Sequence, residues 1–546
     1  MYDHSNKTGM LSLLTILLLS SSIQARSFGT RQSQIWQTLD WKIENVDCQG
    51  NPFDVVASAT FTHVDTGRTR TTGMFYAGDK TWKFRFTGTL AGKWQFLTAG
   101  NTADLNGHTG TITVRKNSDP KIKGFLTHKG NKFAIQTGTE DDLHGYIFNA
   151  YMSRVRHPAY LDEFGSDLAK VRKAVAGYFQ DALNNGFEIV FIHVNNNWLN
   201  FGTREHNKHN SENPDLVSFD VLETIIKMVH ASGGRVHIWA WGDESRKWTP
   251  IGLPGGINGP ADRRLQRYIA ARLGPLPGWT LGYGFDLHEW TNSRQLNNWA
   301  RFLHKQLGWQ HLLCARGHRL EGPDNMNSYD GFGRNVELAT TAHGPKDYDE
   351  IAEDLDSDKT RPHFYEERHS YKRDGFDLDM DGTRRLLWAE SMAGGMGGFF
   401  GFYPTSPHPY PNPEQFRTHY QFWHTNSRFK LDMQRANHLI ENGHVLYSPS
   451  TSSAVYYSEG TSKIRLQLFQ SNAQFRAVAV DTKKPFYDET HLGRIVAANY
   501  ELTLPYISDW AITISTFTRP ANDATSARKT GASNSTLASE RRRSRK

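Results

Sequence analysis

The stretch "FEIVFIHVNNNW", residues 187–198, decides how the fold is read. Its first part is almost wholly apolar and its end is a run of amides. A short apolar run of this kind, entered from the helix stop Asn185-Gly186, reads as a strand buried on both faces. Buried strands of that type belong to parallel sheets covered by helices.

The flanks repeat the pattern. Residues 167–186, "DLAKVRKAVAGYFQDALNNG", are amphipathic, and "SFDVLETIIKMVHASGG" (218–234) is a second helical stretch. Then "RVHIWAWGD" (235–243) reads as a strand, "PADRRLQRYIAARLG" (260–274) as a helix, "WTLGYGFDLHEW" (279–290) as a strand and "SRQLNNWARFLHKQLG" (293–308) as a helix. "HLLCARGHR", "VELATTAHG", "RPHFYEERHS" and "GGMGGFFGFY" each read as a further strand, with the helix "TRRLLWAESMAGG" before the last. With "KFAIQTG" (132–138) taken as the first, this gives eight strands mostly separated by helices, as a (β/α)8 TIM barrel requires. A doubly wound open sheet fits less well, because no Gly-rich phosphate loop follows the first strand.

On both sides the grammar changes to alternation. "DVVASATFTHV", "RTRTTGMFYAG", "KTWKFRFTGTL", "GKWQFLTAG" and "HTGTITVRK", within 36–120, predict an N-terminal antiparallel β-sandwich, with Trp82, Phe84 and Phe86 on one face as core. "HVLYSPS", "SAVYYSEG", "KIRLQLFQ", "FRAVAVDT", "YELTLPY" and "WAITIST" predict a C-terminal antiparallel β-sandwich, reached through a helix starting near Pro411. The organisation read from sequence is a signal peptide at 1–25, an N-terminal β-sandwich at 26–122, a barrel at 123–438, a C-terminal β-sandwich at 439–517 and a disordered basic tail at 518–546.

Composition narrows the class of function. The net charge of +7 is concentrated in the Arg-rich tail, so the folded body is near neutral and is not expected to bind nucleic acid. The run Met10–Leu19, followed by small residues ending at Ala25, has the pattern of a secretory signal, which predicts a secreted or periplasmic protein. No later segment is long and apolar enough to predict a membrane span. Cys48 and Cys314 fall in different predicted domains, so no disulfide framework is expected. The histidines, including His157, His206 and His209, lack a tight metal spacing, and no metal or other cofactor is expected. With 15 Trp, 21 Tyr and 31 Phe the chain is rich in flat apolar rings, which suits sugar stacking as well as sandwich cores.

In barrels of this type the chemistry sits where strands end. Those positions hold His193, Asn195, Asn197 and Trp198 after the second strand, Trp241 and Asp243 after the third, and His288 and Glu289 after the fourth. They hold Arg316 and His318 after the fifth, His343 after the sixth, Glu366 and Glu367 after the seventh, and Tyr403 after the eighth. Two carboxyl groups over one mouth, with amides, imidazoles and indoles around them, are what hydrolysis of a glycosidic bond needs.

"LGYGFDLHEW" (281–290) and "RPHFYEERHS" (361–370) resemble the two catalytic glutamate segments of retaining glycoside hydrolases of clan A. The layout resembles secreted, mostly bacterial, polysaccharide-degrading proteins in which a TIM barrel lies between an N-terminal β-sandwich and a collagen-binding-like C-terminal one; "AVAVDTKKPFYDE" and "YELTLPYISDWAITI" are similar to that last domain. The resemblance covers roughly residues 36–517 and implies Glu289 as acid/base and Glu366 as nucleophile. It departs at His288, where Asn is usual, and at "GGFFGFY", which lacks the usual Trp and leaves Tyr403 or Phe402 as platform. Strict alternation along the seventh strand sends only one of Glu366 and Glu367 into the mouth. Arginines at 154, 156, 316, 319, 368 and 373 hint at an acidic or sulfated glycan. The expected partner is a polysaccharide or its oligosaccharides; the oligomeric state is not legible. The competing reading is a non-catalytic carbohydrate- or matrix-binding protein on a degenerate barrel.

Overall fold

The computed structural model describes residues 26–516 apart from 47, 152–162, 200–210, 243–248, 286, 316–334, 343–346, 368–378, 396, 401–411, 425–426, 470–473, 486–488 and 496–498. The signal-type segment and the basic tail lie outside the described residues. The chain divides into two compact units, Met1–Ser391 with Gly395–Pro413, and Met392–Gly394 with Glu414–Lys546.

The first unit begins with two packed sheets. Five strands run in the order Ser27–Gln34, Thr109–Arg115, Gly92–Gly100, Ala57–His63 and Thr69–Gly73, and three in the order Thr38–Glu44, Thr81–Thr87 and Phe75–Tyr76. Between them lie Trp41, Phe61, Trp82, Phe84, Phe86, Trp94 and Phe96. Trp41 stacks on Phe84 at 5.2 Å, so the stripe expected at 82, 84 and 86 is core. One pair departs from the antiparallel expectation: Ser27–Gln34 runs parallel to Thr109–Arg115. Alternation fixes which face a residue takes but carries no information on strand direction, and these two strands lie far apart in sequence.

The strand Thr81–Thr87 is also covered on its other face. Arg85 and Thr87 point away from the aromatic core and contact the helices of the parallel sheet: Arg85 donates to the Arg272 carbonyl at 2.5 Å, and the Thr87 hydroxyl to the Pro275 carbonyl at 2.5 Å. Trp309, just past the helix Ser293–Gln306, inserts into the sandwich core and donates its indole N–H to the Thr87 carbonyl at 3.0 Å. The sandwich is therefore built onto the parallel sheet rather than tethered to it.

Eight parallel strands follow: β1 (Asn149–Tyr151), β2 (Ile189–His193), β3 (Arg235–Trp241), β4 (Trp279–Gly284), β5 (Leu313–Cys314), β6 (Ala339–Ala342), β7 (His363–Glu367) and β8 (Gly397–Phe400). Their order is β5-β4-β3-β2-β1-β8-β7-β6, so the first and last strands in sequence are neighbours. β5 and β6, at the two ends of that order, meet at one parallel bridge, Cys314 to Leu338, with the Leu338 N–H on the Leu313 carbonyl at 3.1 Å. The described ladders stop there, short of a fully paired ring. β2, β3 and β4 are buried at every position, as strands covered on both faces must be. Four of the helices between strands start on Asp or Asn caps: Asp215, Asn292, Asp347 and Asp379 each accept from a backbone N–H of the first turn.

One strand assignment needs correcting. "KFAIQTG" is not the first parallel strand; Lys132–Gln136 is the middle strand of an antiparallel sheet between Leu126–Lys129 and Leu143–Gly145. Phe133 and Ile135 carry its apolar face into the core shared with Phe148, Ile189, Phe191, Trp239 and Phe364. The hairpin thus floors the parallel sheet, and the true β1 is only three residues long.

After Met392–Gly394 the second unit resumes with the helix Glu414–His424, which ends well before the strands that follow instead of running on to them. One six-stranded sheet surrounds a single core that includes Val445, Tyr456, Ile464, Phe475, Leu502 and Trp510. Here the sequence expectation also needs correcting, because four expected strands are two long ones. "SAVYYSEG" and "KIRLQLFQ" join in Ser453–Gln467, and "YELTLPY" and "WAITIST" join in Asn499–Thr516. The expected strands end at Gly460 and Tyr506, yet the pairing continues past them through register shifts at Ser458 to Lys463. Cys48 and Cys314 are both free thiols.

Candidate active site

All eight parallel strands end at one edge, and the described part of that edge is built by β2, β3, β4 and β7. Alternation along β2 puts Ile189, Phe191 and His193 on the inner face; His193 is buried and its ring lies 5.9 Å from that of Phe191. On β3 the same parity selects His237, Trp239 and Trp241. Trp239 meets Phe191 edge-on at 4.5 Å and also packs on Phe285, just past β4. Lower down, His237 shares a hydrogen bond with the Thr280 hydroxyl at 2.7 Å and packs against Phe364 at 5.2 Å.

β4 leaves room for these indoles. Gly282 and Gly284 stand opposite Trp239 and Trp241 in the ladder. A Cβ on Gly284 would come within 2.9 Å of the Trp241 carbonyl oxygen, tighter than real side chains tolerate. The inner face near the C-terminal ends is therefore lined by His193, Trp239, Trp241 and Phe285. Trp239 and Phe285 were not among the expected binding residues; the "WAW" of β3 facing the "GYG" of β4 is the signal that marks them.

After β2 the chain turns sharply through Asn195–Trp198. Asn195 holds a left-handed backbone conformation (φ 55°), is buried, and its side-chain oxygen has no hydrogen-bond partner among the described residues. Asn197 is buried beside it. Trp198 lies elsewhere than a binding role requires. It is fully buried, donates its indole N–H to the Ala240 carbonyl at 2.8 Å and packs on Phe219 of the helix Leu216–Ala231, pinning the turn to the helix layer.

After β4 the turn Leu287–Glu289 is fixed by buried neighbours: Trp290 stacks on Tyr283 at 5.4 Å and donates to the Phe285 carbonyl at 2.9 Å. Glu289 between them is exposed. On β7, Phe364 faces inward, 4.8 Å from Phe148, and Tyr365 faces outward, its hydroxyl on Asp354 of the helix Tyr348–Ser357. The ladder with β6 then slips: Thr341 pairs with Tyr365 but Ala342 with Glu367, so Glu366 is the extra residue of a bulge. Asp243, Arg316, His318, His343 and Tyr403, and the side chains of His288, Glu366 and Glu367, lie outside the described residues. Among the described residues no group of three or more His, Cys, Asp or Glu is placed to hold a metal ion.

Residues 32–101 match a family described as a domain of unknown function (DUF5060). No curated protein matches the chain. Solved structures do resemble it. One, described as a "putative glycoside hydrolase" from Bacteroides vulgatus, aligns with a TM-score of 0.64 at 14% identity over 89% of this chain and 100% of that one. A glycoside hydrolase family 5 structure from Bacteroides vulgatus aligns at 0.51 and 11% identity over 72% of this chain and 94% of that one. The chain shares the fold of these structures.

Proposed function

We propose that the chain is a glycoside hydrolase whose eight parallel strands close as a (β/α)8 barrel, with Glu289 as acid/base and Glu366 as nucleophile of a retaining double displacement. The observation that carries this is topological. The turn Leu287–Glu289 follows β4, Glu366 is the last residue but one of β7, and both lie at the same edge of one parallel sheet, above an inner face lined by His193, Trp239 and Trp241. Likeness in fold to structures named as glycoside hydrolases supports the same reading.

In the first step the Glu366 carboxylate attacks the anomeric carbon, the glycosidic C–O bond breaks, and Glu289 gives its proton to the leaving oxygen. In the second, Glu289 takes a proton from water, which attacks the same carbon and releases Glu366. This route needs the two carboxyl groups about 5–5.5 Å apart. Asn195, whose buried amide oxygen has no hydrogen-bond partner among the described residues, is a natural acceptor for a sugar hydroxyl, with His193 and Asn197 beside it in sequence. The substrate is a polysaccharide or its oligosaccharides, and the 1–25 segment marks the protein for export. No described helix is long and apolar enough to cross a membrane. The exposure of Glu289 favours the second reading, a barrel that binds glycans without cutting them.

The test is a glycan panel assayed with wild type, Glu289→Gln, Glu366→Gln and Glu367→Gln. Loss of a positioned acid or base costs about 10²–10⁴ in rate, and the expected result is a fall of that size for Glu289→Gln and for at least one of the β7 variants. Wild-type turnover in Glu289→Gln, or in both β7 variants, overturns the assignment. Absence of turnover in wild type across the panel, with glycan binding retained, selects the second reading.

A further inference from the structure

We propose that the C-terminal unit carries an oxyanion-binding groove of its own, which takes the carboxylate or sulfate groups of an acidic polysaccharide. The ligand class rests on the glycoside hydrolase reading; the groove itself does not. A cavity of ≈ 370 Å³ opens on the outer face of the six-stranded sheet, within the roughly 300–1,000 Å³ usual for ligand pockets. Ladder register decides which side chains reach it. Ala454 and Ala477 both pair with Ile514, and all three point into the core. Their chain neighbours therefore share the opposite face. Ser453, Ser515 and Arg476 form one row there, and Val455, Thr513 and Val478 the next. The facing wall is the segment 428–433, which brings Arg428 and Lys430 to the groove. It is fixed by Asp432, which accepts from the Ser448 hydroxyl and the Ser450 N–H, each at 2.7 Å.

Charge in the groove is unbalanced. Three cations line it, Arg428, Lys430 and Arg476, against one acid, Glu489. That acid is already engaged. It pairs with Arg428, whose guanidinium also donates to the Phe422 carbonyl at 3.0 Å and lies 4.5 Å from the centre of the Phe422 ring. Lys430 and Arg476 have no acidic partner among the described residues. Arg476 gives one N–H to His491 Nδ1 at 3.1 Å and keeps the other donors of its fork, a geometry suited to two oxygens of one anion. Arg494 stands opposite Arg476 in the ladder and adds positive charge to the same face. Beside Arg476, the hydroxyls of Thr513 and Ser515 make no hydrogen bond to other described residues, so they are placed to meet the anion or a neighbouring sugar hydroxyl. No aromatic ring lines the groove among the described residues, so the stacking platform that single-stranded nucleic acid uses is missing.

The experiment is surface plasmon resonance of the full chain, at one ionic strength, over immobilised polygalacturonate, carrageenan, carboxyl-reduced polygalacturonate and polyglutamate. The variants are Lys430→Gln/Arg476→Gln in the groove and Arg541→Gln/Arg542→Gln/Arg543→Gln in the basic C-terminal segment, alone and combined. Polygalacturonate or carrageenan should bind more tightly than the reduced polymer and polyglutamate. The groove pair should weaken that binding about tenfold, whether or not the C-terminal arginines are present, as two lost ion pairs of up to about 1 kcal/mol each imply. No binding to either acidic glycan, equal binding to the reduced polymer or to polyglutamate, or binding that depends on the C-terminal arginines alone overturns the proposal. Neither position of the groove pair lies in the core, so the pair reports on binding rather than on folding. If pair-dependent binding holds while no glycan is cut, the groove stands and the hydrolase reading fails. If glycans are cut while binding ignores the pair, the groove alone fails.

Discussion

Replacing Glu223 with Gln should loosen the joint between the sandwich and the parallel sheet. Glu223, on the helix Leu216–Ala231, is 13% exposed and lies between two buried arginines: Arg85 of the sandwich at 2.6 Å and Arg272 of the helix Pro260–Leu273 at 3.1 Å. Breaking a buried pair from one side costs about 3–5 kcal/mol, because the partner charge stays behind. Here each arginine keeps another acid, Asp40 for Arg85 at 2.9 Å and Asp220 for Arg272, so the lower end, about 3 kcal/mol, is expected. Burial works to raise the Glu223 carboxyl, but the charges of Arg85, Lys227 and Arg272 outweigh it and hold the group well below the usual carboxylate range. A depressed acid stabilises the fold above its unfolded value near 4.5 and loses that contribution as pH falls. The gap between wild type and Glu223→Gln should thus be full at pH 5 and above and shrink below pH 4.5 by about 1.4 kcal/mol per pH unit. Urea-unfolding midpoints from pH 3 to 7 measure it, and a double-mutant cycle with Arg85→Met isolates the pair. Equal midpoints for the two proteins at pH 7, with parallel acid limbs, would refute the reasoning.

Two further outcomes follow from buried geometry. Burial pushes the Asp262 carboxyl up to about 6 although the Asn258 N–H donates to it at 2.7 Å; a raised acid contributes its stability below about 3.8 and loses it as pH climbs through 6, so wild type should lose up to about 3 kcal/mol across that window and Asp262→Asn should not, in thermal melts at stepped pH. Gly308→Ala should lower the melting midpoint by about 1–3 kcal/mol of stability, because its Cβ would overlap the Thr71 carbonyl oxygen of the sandwich, whereas Gly177→Ala, with open space around it on the helix Leu168–Asn184, should gain up to about 1 kcal/mol.

Where the sequence was legible, one physical cause produced the pattern. "IVFIH", "RVHIWAW" and "WTLGYG" are apolar on both faces because sheet and helices bury them on both faces, and they emerge as β2, β3 and β4. β1 was missed because three residues carry no period, while "KFAIQ" nearby carries a good one that belongs to an antiparallel hairpin. "SAVYYSEG" and "YELTLPY" read as separate short strands because local patterns stop at Gly460 and Tyr506, whereas the long strands shift register near there and keep pairing. At the site, a place at a strand end was enough to name His193, but nothing local could show that Trp198 folds back under Ala240, since that contact depends on a strand that comes later in the chain.

The two adjacent glutamates of "FYEER" show where a sequence rule stops applying. Alternation makes Glu366 and Glu367 opposites, and that holds only while β7 pairs residue for residue with β6. Phe364 inward and Tyr365 outward obey the rule. Past Tyr365 the ladder advances one residue on β6 and two on β7, so positions 366 and 367 together face the single step from Thr341 to Ala342. Across that slip alternation no longer decides which of positions 366 and 367 serves the mouth. Bulges re-aim side chains next to active sites. This is why the glycan panel needs Glu367→Gln beside Glu366→Gln. Loss confined to Glu366→Gln means that alternation survives the slip, loss confined to Glu367→Gln that register overrides it, and partial loss in both that the bulge presents two carboxyl groups to one bond.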